Sequence, residues 1–298
     1  MTSFAEHFEK RSAGFGWTDD ALGALTDREA LAIFEQTCFN RYFEFQCADA
    51  ANAKRIRAPI YLSVGQEHIP AVLAAVIGKP RIFAQHRAHS YFLSFGGDPQ
   101  QLADELLHRE SGCARGMGGS ASIHCPEHGM FGHSGLMGDQ VPIAVGYALA
   151  SKAPTLTVTG DASAEEDYVL GALGFAASKK VPLLAIVEDN DLSILTRTAT
   201  RRTWHMADVA RSFGLGAIDI ADDPWLIAFH ARRAMDRLPF LINIRTCRHL
   251  WHAGAGTDGP PEWNRFELFK ERLAVLGLRA AAADIEARAR EEAGVFWQ

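Results

Sequence analysis

The chain has 298 residues, of which 48% are hydrophobic and 22% charged, a composition typical of a folded globular protein. A formal net charge of −6 and the lack of a clustered Lys/Arg run argue against nucleic-acid binding. No apolar run approaches the roughly 18 residues of a membrane span, and the first residues do not read as a signal or transit peptide. The five cysteines are scattered without a C-x-x-C pair. We therefore expect a cytoplasmic protein with free thiols that binds neither nucleic acid nor membrane.

The predicted elements alternate between helix and strand along most of the chain. Thr26 and Glu29 form a capping box that opens a helix over residues 26–46. Further helices are predicted over 100–109 and 140–152, and strands over 82–84, 155–159, 183–187 and 240–244. This alternation predicts an α/β fold with a doubly wound, mainly parallel sheet and helices on both faces.

The ends of the chain are predicted to be helical additions to a single domain. We expect one domain over residues 1–298, with an N-terminal helical extension over about 1–58 and a C-terminal helical tail over about 262–298. Within the tail, the alternating charges of residues 280–294 predict a polar helix with a solvated surface.

The segment from residue 113 to 139 is dense in glycine and has no hydrophobic period. Loops of this length inside a compact domain are usually functional, because an idle connection is normally much shorter. We therefore expect this segment to border a binding site.

Two polar residues follow consecutive predicted strands. Asp161 comes after the strand over 155–159, and Asn190 comes after the strand over 183–187. The carboxyl ends of neighbouring parallel strands lie at one edge of a sheet, where ligands bind, so we expect the two side chains to converge. With the backbone carbonyl of Leu192 they would offer hard oxygen ligands, which suit Mg²⁺ bound to a diphosphate.

Some residues around Asp161 favour a diphosphate site, and others argue against it. The small residues Gly160, Ala162 and Ser163 would let backbone N–H groups approach an anion. Ordinary turn chemistry also explains Gly-Asp and Asp-Asn-Asp sequences. The acidic residues 165–167 would repel a phosphate, so they must point away or be offset by a cation.

The stretch from residue 160 to 190 resembles the thiamine-diphosphate motif, in which Gly-Asp-Gly precedes Asn-Asn by just under thirty residues. More closely, the chain is similar to the alpha subunit of the thiamine-diphosphate-dependent 2-oxoacid dehydrogenases of the pyruvate and branched-chain type. Colinear matches cover about residues 30–258. The further segments that carry the resemblance are YLSVGQE (61–67), HRAHSYFLSFG (86–96), ELLHRESGCARGMGGSASIHC (105–125), FGHSGLMGDQVPIAVGYALASK (131–152) and RTCRHLWH (245–252).

This resemblance implies the diphosphate-binding half of the thiamine-diphosphate fold and a set of site residues. The implied Mg²⁺ ligands are Asp161, Asn190 and the carbonyl of Leu192. The implied cofactor-binding residues are His86, Arg87, Gly135, Met137, Gly160, Asp161, Ala162, Ser163 and Asn190. The implied catalytic histidines are His252, near the thiazolium and the substrate, and His89 and His124, near the active-site entrance.

Two other histidines and several departures from the family pattern qualify the assignment. His249 reads equally as a second active-site imidazole or as a spacer, and His68 reads as structural. The departures are Ala162 for the third motif glycine, Asp189 for the first asparagine, Gly171 for a glutamate of the crossover helix and Ala253 for a phosphorylatable serine. Regulation by phosphorylation at position 253 is therefore not expected.

The resemblance implies that the chain uses thiamine diphosphate and Mg²⁺ to decarboxylate a 2-oxo acid and to transfer the acyl group to lipoamide. The glutamate that activates the aminopyrimidine would come from a beta subunit in a heterotetramer, so the isolated chain should be inactive. A lipoyl acyltransferase is a further expected partner.

Two alternative functions stay open, and a third is disfavoured. The chain could be part of a carboligase, or of a split transketolase-like enzyme, that transfers a two-carbon or acetyl unit to an aldehyde or ketone. It could be a degenerate subunit that only binds a partner. A nucleotide-binding Rossmann domain is disfavoured, because no G-x-G-x-x-G opens a helix after the first strand.

Overall fold

The computed structural model describes residues 19–257 and 263–297. Its strands are β1 (Arg81–Phe83), β2 (Met130–Phe131), β3 (Thr155–Gly160), β4 (Leu183–Asp189), β5 (Leu192–Ser193), β6 (Thr196–Arg197), β7 (Gly216–Ala221) and β8 (Phe240–Arg245). Six of these strands form one parallel sheet in the order β2-β1-β3-β4-β8-β7, and β5 pairs with β6 in a small antiparallel hairpin. The predicted parallel sheet is confirmed.

The helices are α1 (Asp27–Asn52), α2 (His68–Val76), α3 (His89–Ser94), α4 (Pro99–Leu106), α5 (Gln140–Ser151), α6 (Asp167–Lys179), α7 (Thr198–Arg201), α8 (Met206–Ser212), α9 (Pro224–Met235), α10 (Arg265–Val275) and α11 (Arg279–Gly294). Within the described ranges, no helix combines the length and the apolar character that crossing a membrane requires.

Helices cover both faces of the sheet, as the strand pattern predicts. In β4, Leu184 and Ile186 enter a core that is shared with α1, α2 and α9. Leu183, Ala185 and Val187 enter a second core, which α5, α6 and α8 complete. Successive strand residues point to opposite faces, so an almost continuous apolar strand such as β4 can serve both cores. The doubly wound arrangement is therefore confirmed.

The predicted elements match observed ones, with some differences at their ends. Thr26 and Glu29 do form a capping box, and the helix they open continues to Asn52. All four predicted strands overlap observed strands. The helix predicted over 100–109 ends instead at Leu106, and His108 has a φ of 60°, which an α-helix cannot accommodate. The single-domain division stays a prediction, and residues 1–18 of its N-terminal extension lie outside the described residues.

The prediction of a solvated C-terminal helix is wrong for one face of α11. Ala282, Ile285, Ala289 and Ala293 recur at helical spacing and are buried in the core that contains α1. Alanine side chains let two helices approach closely, so this stripe packs although the rest of the helix is charged. The charges alone therefore hide a packing face.

The glycine-dense segment 113–139 wraps around one buried carboxylate. Glu105 of α4 is fully buried and accepts four backbone hydrogen bonds of 2.7–2.9 Å. The donors are the N–H groups of Ala114, Gly116, Gly118 and Gly119. A Cβ at neighbouring Gly112 would lie 2.5 Å from the Cα of Glu105. Glycine is required where the backbone approaches the carboxylate this closely.

Candidate active site

The two polar residues predicted to converge follow the ends of adjacent strands. Gly160, the last residue of β3, pairs in parallel register with Glu188 of β4. Asp161 and Asn190 then leave the sheet at the same edge, and their exposed fractions are only 2% and 8%. The amide oxygen of Asn190 accepts the N–H of Leu192 at 3.1 Å, which folds the chain back after β4. The amide nitrogen donates to Gln66 at 3.0 Å, which fixes the orientation of the carboxamide.

The Asp161 carboxylate is buried beside charges of both signs. Burial and the neighbouring Asp189 carboxylate raise its pKa above the usual value, while the guanidinium groups of Arg201 and Arg202 oppose the rise. Its Oδ2 accepts hydrogen bonds from Arg201 and, at 3.2 Å, from the Thr198 hydroxyl. A cationic group therefore already contacts the predicted metal ligand.

The turn after β3 is closed by short hydroxyl contacts. The Ser163 hydroxyl lies 2.6 Å from that of Thr159 and accepts the N–H of Gly160 at 3.2 Å. A Cβ at Gly160 would lie 3.1 Å from the Gln85 amide oxygen, so a larger residue would crowd this turn. Ala162 lies between the strand and the 3₁₀ turn that begins at Ser163.

Of the three acidic residues that could repel a phosphate, one is ion-paired and two are exposed to solvent. Glu165 forms ion pairs with Arg201 at 2.6 Å and with Arg202 at 3.3 Å. Glu166 and Asp167 are exposed. Arginines of this chain therefore offset the inner carboxylate, and the outer two are left to solvent.

Arg87 links the strand edge to the loop that carries His252. Its guanidinium donates to the backbone carbonyl of Leu62 and, at 3.3 Å, to that of His252. Burial, reinforced by the positive charge of Arg248, lowers the pKa of Arg87 to about 10. The group remains charged at neutral pH and makes this part of the site electropositive.

Three histidines and one tyrosine form a cluster beside Arg87, which we call the imidazole cluster. The ring of His86 lies 4.6 Å from Tyr61, 5.6 Å from His252 and 6.0 Å from His133, measured between centroids. Tyr61 and His133 were not among the predicted site residues. Tyr61 opens the YLSVGQE segment and His133 lies in the glycine-dense segment, but only the fold brings both to His86.

The imidazole cluster contains polar nitrogens that lack partners. Among the described residues, Nδ1 of His86 and Nε2 of His133 are buried without a hydrogen-bond partner. The other nitrogen of His133 accepts the N–H of Gly135 at 2.9 Å, so the neutral ring carries its proton on Nε2. Burial, followed by the charge of Arg87, lowers the pKa of His86 to about 2, and burial also lowers that of His133. Both rings are neutral at pH 7 and can bond to a ligand.

Two of the implied cofactor-binding residues, Gly135 and Met137, lie on an open part of the glycine-dense segment. Gly135 is exposed and has a φ of 106°, which favours glycine. The Met137 carbonyl accepts the Tyr168 hydroxyl, and its side chain is 38% exposed. Neighbouring Leu136 is 59% exposed, so an apolar surface borders this backbone.

The structure does not bring His89 and His124 into the imidazole cluster. His89 is fully buried, with Nδ1 2.9 Å from Glu44 and Nε2 2.8 Å from the Ser120 hydroxyl. This chain of contacts has the order of a catalytic triad, but the serine is buried too, and the chain braces the glycine-dense segment against α1. His124 is exposed and packs edge-on against Phe131. Their catalytic roles stay predictions.

A buried group that includes His89 has the residue types of a metal site, but the protonation of its thiol disfavours metal binding. Glu44, Cys47 and His89 place possible ligand atoms within 4.8 Å of one another. Burial raises the pKa of the Cys47 thiol well above its usual value, which disfavours the thiolate that a metal binds. We therefore assign this group to packing.

The two histidines left open by the sequence both contact the protein interior. The Nε2–H of His249 donates to the Trp263 carbonyl at 2.9 Å, and the ring lies 2.6 Å from where a Cβ at Gly65 would stand. His68 is buried, and its Nε2 lies 3.7 Å from the Asp222 carboxylate. Both positions favour a structural role.

A cavity of about 760 Å³ lies next to Asp161 and Asn190. Its sheet side is formed by side chains at the carboxyl ends of β4, β7 and β8, and its outer side by the chain around α7. The lining residues are Asp189, Asp191, Arg197, Thr198, Ala199, Thr200, Arg202, Thr203, Trp204, His205, Met206, Asp219, Asn243 and Arg245. The turn of α7 therefore borders empty space.

Comparison with known proteins identifies the relatives of this chain. The family model described as "Dehydrogenase E1 component" matches residues 35–262. The chain is similar to the pyruvate dehydrogenase E1 component subunit alpha of Zymomonas mobilis, with 31% identity over 63% of this chain and 55% of that protein. The alpha-1 subunit of Arabidopsis thaliana shares 27% identity over 76% and 61% of the two chains, and the alpha subunit of Rickettsia prowazekii shares 24% over 86% and 82%. The chain thus spans less than two thirds of the first two of these relatives.

Solved structures of transketolases share the fold. The Campylobacter jejuni transketolase aligns with a TM-score of 0.59 at 17% identity, over 89% of this chain and 48% of that one. The Leishmania mexicana transketolase aligns with a TM-score of 0.55 at 14% identity, over 91% and 46%. The chain corresponds to about half of each enzyme. With the family model matching most of its length, the chain belongs to the dehydrogenase E1 component family.

Proposed function

We propose that the chain is the alpha subunit of a thiamine-diphosphate- and Mg²⁺-dependent enzyme that decarboxylates a 2-oxo acid and passes the acyl group to lipoamide. The observation that carries the proposal is the position of Asp161 and Asn190, which are buried at the ends of adjacent parallel strands. Family membership and the similarity to pyruvate dehydrogenase alpha subunits support it.

The residues at this edge fit a metal-bound diphosphate. The Asp161 carboxylate, the Asn190 amide oxygen and the Leu192 carbonyl are the hard oxygen ligands that Mg²⁺ prefers. The guanidinium of Arg201 on Asp161 supports a preference of this position for cations. Arg87 and His86 would bind the diphosphate, because they follow β1, which pairs in parallel with β3, and supply a buried guanidinium and an unpartnered imidazole nitrogen.

The chain would contribute orientation and proton handling to the reaction. Thiamine diphosphate supplies the nucleophilic carbon and the electron sink for the loss of CO₂. His252 is the residue proposed to move a proton at the substrate, and Arg87 holds its backbone in place. The unpartnered Nε2–H of His133 would donate to a substrate oxygen.

A second subunit is needed to complete the site. Glu67, the last residue of the family-like segment YLSVGQE, accepts a hydrogen bond from Arg41 at 2.6 Å and another from the Gly65 N–H. Burial alone would raise the pKa of Glu67, but the charge of Arg41 lowers it below the usual value. A carboxylate that is ion-paired and has a lowered pKa is a poor proton partner for the aminopyrimidine. We therefore assign that role to a beta subunit, which would cover the exposed Leu136 and Met137.

One observation favours a second candidate function. The imidazole cluster is polar, with unpartnered nitrogens on His86 and His133. A hydroxylated aldehyde or ketone would satisfy such groups better than an apolar acyl chain, because unpaired buried polar groups cost free energy. The alternative is a carboligase or a split transketolase-like enzyme that transfers a two-carbon or acetyl unit.

The test is to reconstitute the chain with a beta subunit and to follow CO₂ release from a series of 2-oxo acids. The complex should release CO₂ only with Mg²⁺ and thiamine diphosphate, and the isolated chain should be inactive. Asp161→Asn should reduce turnover by at least about a hundredfold, while Asp167→Asn, an exposed acid in the first turn of α6, should not. Robust turnover by the isolated chain would refute the shared site. S-acyl-dihydrolipoamide as the product would support the dehydrogenase subunit, and a carboligation product would support the carboligase.

A further inference from the structure

Arg201 has no role of its own in the proposed function, although it contacts the predicted metal ligand. Its guanidinium contacts Asp161 Oδ2, lies 2.6 Å from the Glu165 carboxylate and donates to the Thr198 hydroxyl at 3.0 Å. The Arg201 side chain is only 14% exposed. It therefore bridges two carboxylates at the predicted metal position.

A divalent cation and this guanidinium compete for the same carboxylate, on which Arg201 and the Thr198 hydroxyl already contact Oδ2. Mg²⁺ binds carboxylate oxygens at about 2.0–2.1 Å in a near-ideal octahedron, which leaves little room for a second cationic group on the same carboxylate. The two positive charges would also repel each other strongly in a buried setting. Metal binding therefore favours the displacement of Arg201 from Asp161.

The segment that carries Arg201 is placed to move. Helix α7 is a single turn. Thr200 and Arg202, which flank Arg201 in the sequence, line the cavity of about 760 Å³. Within the described residues, Nη1 of Arg202 is buried without a hydrogen-bond partner. The turn is held mainly by polar contacts, such as that of the Thr198 N–H with Asp191 at 3.0 Å. Moving such a turn into empty space disturbs little packed core.

We propose that Arg201 stands in for the divalent cation in the cofactor-free chain, and that binding of the metal–diphosphate unit exchanges the guanidinium for the metal at Asp161. This inference rests on the proposed function for the assignment of Asp161 as a metal ligand. The displaced guanidinium then faces the incoming diphosphate, which offsets the loss of its contact with Asp161. The metal alone should therefore bind weakly, and the metal with pyrophosphate should bind much more tightly.

The experiment measures Mn²⁺ binding to the full chain by electron paramagnetic resonance, with and without inorganic pyrophosphate. Arg201→Gln removes the competitor, so its affinity for Mn²⁺ alone should rise by at least about tenfold. Arg197→Gln is the matched control, because Arg197 is in the same segment and contacts Asp191 at 3.1 Å rather than Asp161. The control should change the affinity by less than about twofold.

The experiment distinguishes failure of the Arg201 exchange from failure of the metal site. An unchanged or weaker Mn²⁺ affinity in Arg201→Gln, or an equal gain in Arg197→Gln, would overturn the exchange and leave the metal site standing. If Asp161→Asn does not weaken Mn²⁺ binding in the presence of pyrophosphate, the metal site fails and the exchange fails with it. If Arg201→Gln loses its native circular dichroism spectrum, Arg201→Lys replaces it. Lysine lacks the planar fork that bridges Asp161 and Glu165, and a gain of at least about threefold is then expected.

Discussion

Two buried carboxylates, Glu105 and Asp161, are neutralised in different ways. Glu105 is surrounded by four backbone N–H groups of the glycine-dense segment. Asp161 is paired with the side chain of Arg201, on a one-turn helix beside a cavity. Backbone donors cannot leave without unfolding the segment, whereas an arginine can rotate away. The comparison separates a carboxylate that builds the site from one that is available to a ligand.

The largest expected effect is on Glu105. In Glu105→Gln, one oxygen becomes an NH₂ group that faces backbone N–H donors, so buried donors are left unpaired. We expect the free energy of unfolding to fall by about 3 kcal/mol, measured by urea denaturation. Glu110→Gln, at an exposed position near the same turn, should change it by less than about 0.5 kcal/mol. Equal losses in the two variants would mean that Glu105 does not organise the segment.

A third buried carboxylate, Glu188, is neutralised in yet another way, by protonation, and should make the stability of the chain depend on pH. It accepts hydrogen bonds from Gln66, Gln85 and Tyr91, and burial raises its pKa from 4.5 to about 7 although Tyr91 and Arg87 oppose the rise. Because the folded-state pKa lies above the unfolded one, folding favours the protonated form. This contribution to stability is complete below about pH 4.5 and is lost as the pH rises to about 7.

The glutamine in Glu188→Gln cannot titrate, so the variant does not lose this stability as the pH rises. The unfolding free energy of the variant minus that of the parent chain should increase by about 2 kcal/mol between pH 4.5 and 7, then level off. Urea denaturation at half-unit pH intervals measures the difference. A difference that is flat over this range, or that falls, would contradict the raised pKa.

The smallest expected stability effect is on Asp161. In Asp161→Asn, Arg201 keeps its contacts with Glu165 and Thr198, so the metal-free chain should lose less than about 1 kcal/mol. Calorimetry should show at the same time that Mg²⁺-dependent binding of thiamine diphosphate to the reconstituted complex is lost. A stability loss as large as that of Glu105→Gln would instead make Asp161 a structural brace.

The sequence predicts what is local, and it misses what the fold brings together. Asp161 and Asn190 can be placed because each directly follows an apolar strand, and strand ends are a local feature. The contact of Arg201 with Asp161 spans 40 residues, and that of Glu105 with Gly119 spans 14 residues across a turn without periodicity. The buried alanine stripe of α11 was hidden for a related reason, since small residues among charges give a weak signal until a partner helix is known.

The central claim is that Asp161, Asn190 and Leu192 jointly hold a divalent cation. It is tested most directly by anomalous scattering from crystals of the reconstituted complex grown with Mn²⁺ and thiamine diphosphate. We predict a peak about 2.1 Å from Asp161 Oδ, Asn190 Oδ1 and the Leu192 carbonyl, with the Arg201 guanidinium moved off Asp161. A cofactor-bound complex whose metal peak lies elsewhere, with Arg201 still on Asp161, would contradict the account.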